Sequence, residues 1–84
     1  MFAIIGSWPV DDRLDQDQLT HIAATVSEQP GFVRGFWGQA PEAITAAHAV
    51  IVLDDEKSAH AMARDVRSSI PAASLHVIRI LAEA

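Results

Sequence analysis

The sequence predicts an α+β domain in which four strands and two helices follow the order β-α-β-β-α-β. Three observations predict it: short apolar runs that suit strands, two apolar stripes with helical spacing, and proline or glycine between them. A chain of 84 residues has room for one domain, residues 1–84. Two halves of this kind form a four-stranded antiparallel sheet with both helices on one face.

The first strand and the first helix each end at a proline. Pro9 ends the strand, because proline cannot donate a hydrogen bond to a sheet ladder. A polar connection from Asp11 to Leu14 leads to Asp15, which is expected to cap the helix. Pro30 disfavours helical geometry in the residue before it and ends the helix. The apolar stripe of this helix consists of Leu19, Ile22, Ala23 and Val26.

The second and third strands are expected on either side of a loop. The predicted strands run from Phe32 to Gln39 and from Ala46 to Leu53, and the loop between them has room for one helical turn. Two glycines in the second strand permit a bulge. Alternation places two sets of side chains on opposite faces: Phe32, Arg34 and Phe36 on one, and Val33, Gly35 and Trp37 on the other.

The second helix and the last strand complete the order. Asp54 and Asp55 suit the start of a helix, where a carboxylate can accept from free backbone N–H groups. Pro71 ends the helix, and the last strand is predicted from Leu75 to Leu81. The apolar stripe of this helix consists of Ala59, Met62, Ala63, Val66 and Ile70.

The sheet face without helices is also apolar. Phe2, Ile4 and Trp8 lie on one face of the first strand, and Ala3 and Ile5 lie on the other. An uncovered apolar surface of this size marks an interface. Two-fold pairing with a second copy is the commonest way to cover such a face. The sequence therefore predicts a homodimer in which two sheets form one barrel.

Charge and composition exclude several classes of function. The net charge is −5 with six scattered Lys and Arg residues, which does not suit nucleic acid. The absence of cysteine excludes disulfides, a thiolate nucleophile and cysteine-based zinc sites, and the four histidines lack metal-binding spacing, so no metal is expected. No segment suits a membrane span or a secretory signal, which favours the cytoplasm. Abundant alanine without asparagine or tyrosine is typical of a GC-rich bacterial genome.

Two passages carry a resemblance to a known family. The segment from Pro30 to Phe36, with its Pro-Gly-Phe start, and the strand-to-helix segment from Val50 to Ala59 resemble the antibiotic biosynthesis monooxygenase-like group of the dimeric α+β barrel superfamily. The resemblance implies a ferredoxin-like domain that dimerises and binds a small molecule. It further implies a cofactor-free monooxygenase or isomerase acting on an aromatic or polyketide-like substrate. The alternative is a non-enzymatic dimeric scaffold or accessory module.

The residues that known members of this superfamily use are mostly absent. Haem-degrading members use an Asn on the first strand, a Trp at the end of the third and a His on the second helix. In this chain Ser7 lies near the position of that Asn, and Leu53 takes the place of the Trp. His60 is on the second helix, but nearer its start than the His of those members. Quinone-forming oxygenases use Asn, Trp, Tyr and Arg, and this chain has neither Asn nor Tyr. Haem is therefore not expected, and an enzyme here would act without metal or flavin.

Five residues are candidates for a ligand site. Trp8 and Trp37 are expected to stack on an aromatic ligand, and Ser7 to lie beside them. His60 or Arg34 would handle charge as a catalytic group. The alternatives are packing in the core or interface for the two tryptophans, a surface position for His60 and an interface salt bridge for Arg34.

Overall fold

A computed structural model describes residues 1–11 and 14–84 of the chain. The elements follow the predicted order, and the α+β fold class is confirmed. The predicted connection from Asp11 to Leu14 falls partly outside the described residues. Within the described ranges, no helix is long and apolar enough to cross a membrane. The elements are β1 (Phe2–Pro9), α1 (Gln16–Ser27), β2 (Phe32–Ala40), β3 (Ala43–Leu53), α2 (Glu56–Ser69) and β4 (Ser74–Arg79).

The four strands form one antiparallel sheet in the order β2-β3-β1-β4. Ile4 on β1 lies opposite Ile51 on β3 and Val77 on β4, and these three side chains point to the same side. Both helices pack on that side, which we call the covered face. The opposite side, which carries Ile5 and Val50, is called the open face.

The core lies between the covered face and α2. Ile4 and Leu53 are the largest fully buried side chains, and they pack with Met62 of α2. Helix α2 contributes three buried residues, whereas α1 contributes none and touches the core through the partly buried Val26. The two helices therefore cover the same sheet face to very different degrees.

A bulge in β2 changes which of its side chains share a face. Phe32 pairs with Leu53 and Arg34 pairs with Val52, so Val33 is an extra residue between them. Phe32 consequently packs against the core. The prediction that Phe32 shares a face with Arg34 and Phe36 is wrong, because the extra residue shifts the alternation by one.

The connection between β2 and β3 is shorter than the sequence suggested. Ala40 pairs with Ala43, which leaves only Pro41 and Glu42 in the turn. The loop predicted from Ala40 to Thr45 is therefore wrong. Residues 43–45 instead extend β3, and the β-branched Ile44 and Thr45 are residue types that favour a strand.

Both helices begin at aspartate caps, as predicted for Asp15 and for the Asp54–Asp55 pair. The Asp15 side chain accepts from the backbone N–H of Asp17 at 2.8 Å, and that of Asp55 from Ser58 at 2.7 Å. The hydrogen bond from the Ser58 backbone N–H holds the pKa of Asp55 below its ordinary value. The connection into β2 requires glycine at position 31, where φ is +80° and a Cβ would meet Ser58.

Candidate ligand-binding void

A void of about 100 Å³ lies between the covered face and the two helices. Its floor is the central part of the sheet. Its outer wall is formed by Ile22 and Val26 of α1, by Val66 of α2, and by Ile70, the residue that follows α2. The lining is apolar throughout, and the side chains that form it are Ile4, Trp8, Ile22, Val26, Trp37, Ala49, Ile51, Val66, Ile70 and Leu75, with Gly6 at the centre of the floor.

The void exists because two small residues meet at the middle of the sheet. Gly6 on β1 lies directly opposite Ala49 on β3, and Trp37 on β2 lies opposite Ala49 on its other side. Large side chains on the neighbouring strands and helices surround this pair without filling the space above it. Leu75, opposite Gly6 on β4, already occupies the position that a Cβ on Gly6 would need.

Gly35 determines where the Trp37 ring lies. A Cβ at Gly35 would lie 2.7 Å from Cη2 and 2.9 Å from Cζ3 of Trp37, which is too close for real side chains. The indole therefore folds back over Gly35, along its own strand. A side chain at position 35 would displace the ring that borders the void.

The structure separates the five candidate residues into three places. Trp8 and Trp37 both line the void. Ser7 and Arg34 lie on the open face, since their partners His48 and Val52 are on that side. His60 is exposed on α2. The five side chains therefore do not share one pocket, and the ligand role of the two tryptophans stays a prediction.

Arg34 and His60 have partners outside the void. The Arg34 guanidinium lies 3.9 Å from the Glu83 carboxylate, with more than half of each side chain exposed. This is a surface pair within the chain, and such pairs contribute little to stability. His60 Nε2 lies 3.4 Å from Glu56 Oε2, one helical turn away. Neither residue reaches the void.

The histidines of the sheet lie on the open face at different levels. His48 pairs with Ser7 and His76 pairs with Ile5, so β1 lies between them and they are offset by two residues. Among the described residues, no group of three His, Asp or Glu side chains is placed to hold a metal ion.

The void has the chemistry of a binding site for an apolar ring. No titratable side chain is among its lining residues, so the described chain places neither a general acid nor a general base against a molecule inside it. Trp8 and Trp37 supply flat aromatic surface, and their indole N–H groups are the only side-chain donors in the lining. The arrangement can orient a planar compound and exclude water from it.

Sequence reasoning did not assign the small residues of the floor to the site. Alternation along β1 places Gly6 on the same strand face as Trp8, but nothing in the sequence alone indicates that Ala49 lies beside it. The register between β1 and β3 brings them together. The available signal was weak, because β3 contains three alanines besides Ala49 and only the glycine of β1 stands out.

Comparison with known proteins finds similarity in structure but not in sequence. No protein family model matches this chain, and no curated protein matches it. One similar structure is an inferred antibiotic biosynthesis monooxygenase from Deinococcus radiodurans, with a TM-score of 0.61 and 14% identity over 100% of this chain and 95% of that one.

A second similar structure is a monooxygenase from the gene ActVA-Orf6 of Streptomyces coelicolor, solved in complex with nanaomycin D. Its TM-score is 0.64 and its identity is 19%, over 99% of this chain and 89% of that chain. The fold that the sequence resemblance implied is thereby confirmed. This chain has the ferredoxin-like α+β fold of the antibiotic biosynthesis monooxygenases.

Proposed function

We propose that this chain binds a small, uncharged aromatic compound of the polyketide type in the void between the sheet and the helices. The apolar void bordered by Trp8 and Trp37 carries the proposal. A protein of the same fold that was solved with nanaomycin D bound supports it. The ligand would stack on the two indoles, and a carbonyl or hydroxyl oxygen would accept from an indole N–H.

The volume of the void limits what part of a ligand is buried. An engineered protein cavity of about 150 Å³ is known to hold benzene. The void here, at about 100 Å³, is smaller than that cavity, so even one small ring requires a slight outward shift of the wall. A fused-ring compound needs the outer wall to move, and α1 is the part of that wall with no buried residue.

Binding is tested with 1,4-naphthoquinone as the probe and tryptophan fluorescence as the signal. We expect saturable quenching, because Trp8 and Trp37 border the void. Ala49→Leu fills the floor and is expected to abolish saturable quenching, whereas Ala24→Leu makes the same change at an exposed position of α1. Equal quenching in both variants, or a linear response in the unmodified protein, would contradict the proposal.

Monooxygenation is the finer proposal for the bound compound. A ring CH₂ flanked by phenol-bearing rings is converted to C=O, with one atom of O₂ entering the product and the other leaving as water. Because no described lining residue is a base, the substrate must be acidic enough to release its proton to water before it reacts with O₂. The test is O₂ consumption and quinone formation from dithranol, with Ala49→Leu beside the unmodified protein. Equal rates in both samples would contradict catalysis in the void.

The same absence of acid–base groups favours an alternative, in which the barrel binds a ligand but catalyses nothing. The two proposals are distinguished by product: a non-enzymatic module gives saturable naphthoquinone binding without faster oxidation of dithranol. The cytoplasm is the location we propose for either role.

We also propose that the open face is covered by a second copy of the chain. Four apolar side chains of this face are more than a third exposed: Ile5, Phe36, Val50 and Ile78. Sedimentation at micromolar concentration is expected to give a dimer mass. Phe36→Asp is expected to give a monomer, and Thr20→Asp on α1 to remain dimeric. A monomeric unmodified protein would contradict pairing.

A further inference from the structure

The outer wall of the void is only one side chain thick along the line where the helices face each other. A groove of about 270 Å³ runs over the surface between α1 and α2. Val26, Val66 and Ile70 line this groove and also line the void beneath it. All three are partly exposed, so each touches solvent on one side and the void on the other.

Two of the three residues on this line lie outside the well-buried part of the helical cover. Val26 belongs to α1, which has no buried residue. Ile70 is the cap residue of α2, with φ −129° and ψ 81°, and so lies outside the regular helix. Movement of these side chains breaks no hydrogen bond of the sheet, whereas the floor of the void is formed by paired strands.

The rim of the groove is polar and carries a negative charge. Thr25, Gln29 and Ser69 contribute neutral polar groups, and Asp65 is the charged side chain in the groove lining. A carboxylate at a narrow entrance disfavours an approaching anion. No basic side chain of α2 is among the residues that line the groove, and the Arg67 guanidinium donates to the backbone carbonyl of Leu75.

We propose that the ligand enters the void between α1 and α2 through a gate formed by Val26, Val66 and Ile70, and that Asp65 at its mouth selects uncharged compounds over anions. This inference rests on the proposed binding function. It adds a route and a charge preference that the void itself, which is apolar, does not provide. The competing route passes Ile22, which also separates the void from a depression on the outer side of α1.

Blocking the groove tests the route. Ser69→Cys places the only cysteine of the chain in the groove, and Ser68→Cys places it on the neighbouring exposed residue outside the groove. Both variants are labelled with benzyl methanethiosulfonate, and stopped-flow quenching by 1,4-naphthoquinone gives the rates. We expect labelled Ser69→Cys to slow association and dissociation by about tenfold, with nearly unchanged affinity, because a plug at the gate alters the path but not the bound state.

Removal of the label with dithiothreitol is expected to restore both rates, and labelled Ser68→Cys is expected to match the unlabelled protein. Unchanged rates in labelled Ser69→Cys, or slowing only in labelled Gln18→Cys on the outer side of α1, would overturn the route between the helices. Absence of saturable quenching in the unmodified protein would instead overturn the proposed binding function and this inference with it.

Charge selection is tested with 1,4-naphthoquinone-2-sulfonate beside the neutral quinone. Asp65→Asn is expected to raise the association rate of the sulfonate about two- to threefold at low salt and to leave that of the neutral quinone unchanged. Asp17→Asn, beside Ile22 on the outer side of α1, is the matched control. A rise in Asp17→Asn but not in Asp65→Asn would overturn the assignment of the mouth.

Discussion

The two faces of this sheet are built from the same four strands, yet they differ in how far their apolar side chains are covered. Ile4 and Ile5 are neighbours on β1, and one is 2% exposed while the other is 38% exposed. The covered face packs against helices, and the open face presents apolar side chains to the surroundings. The difference shows that alternation along a strand divides one apolar run between a buried face and an exposed one.

The faces also differ in where their polar side chains lie. The covered face has small residues at its centre, Gly6 and Ala49, which leave room for the void. The open face has Ser7 and His48 paired at the corresponding level and Arg34 toward one corner. A ligand site therefore suits the covered face, and a protein contact suits the open one.

The largest expected effect comes from truncating the same residue type on each face. Ile4→Ala removes a fully buried side chain and is expected to lower the free energy of unfolding by about 3 kcal/mol. Ile5→Ala removes a half-exposed side chain, and in the isolated chain we expect a loss below about 1 kcal/mol. Urea unfolding of both variants across a range of protein concentrations measures the difference.

Concentration separates the two roles. The loss in Ile4→Ala is expected to be independent of concentration, because the core lies within one chain. The loss in Ile5→Ala is expected to grow where the protein dimerises, since a second copy would bury that side chain. If the stability loss in Ile5→Ala did not change with protein concentration, the open face would not be a contact surface between two copies.

The element order could be predicted because proline and glycine mark the element ends. Pro9, Pro30 and Pro71 each limit an element for a local reason, so the sequence carries that information. The bulge at Val33 could not be located, because any residue near Gly35 could have been the extra one. Its position depends on how Phe32 and Trp37 pack on the covered face, which is a tertiary property.

The site was less predictable than the fold. Two large aromatic side chains pointed to a pocket, and the structure places Trp8 and Trp37 at the same void. The sequence does not reveal which strand face the helices cover, so it does not separate Ser7 and Arg34 from the two tryptophans. Both faces of β1 are apolar, so hydrophobicity alone does not distinguish them.

A smaller effect is expected from adding one methyl group to a glycine on each face. In Gly6→Ala the new Cβ displaces the Leu75 side chain, whose flexible end can turn into the void. We expect a stability loss of about 1 kcal/mol and loss of naphthoquinone binding, because the void is then filled. In Gly38→Ala the Cβ meets nothing within 4 Å, and we expect binding to be retained. Thermal unfolding and fluorescence quenching measure both, and retained binding in Gly6→Ala would contradict the assigned volume.

The smallest effect concerns the start of α2, the helix that provides most of the cover. The backbone N–H of Ser58 lowers the pKa of Asp55 from its ordinary value of 3.8. A carboxyl whose pKa is lower in the folded state stabilises the protein above that ordinary value. The contribution is lost as the pH falls through the folded-state pKa. We therefore expect Asp55 to account for part of the fall in the free energy of unfolding below about pH 4.

Asp55→Asn separates the charge of this cap from its hydrogen bond. Asparagine also accepts from a backbone N–H at this position, so α2 is expected to form with a flatter dependence of stability on pH. Asp65→Asn is the control, because it removes a carboxylate from the same helix. Among the described residues no backbone N–H donates to the Asp65 carboxylate, so this variant should keep the contribution of Asp55 to the pH dependence of stability. Urea midpoints from pH 6 to pH 3 measure both variants. If Asp55→Asn kept the full pH dependence, the start of α2 would be held by its packing on the covered face, since the charge at its cap would then contribute nothing measurable.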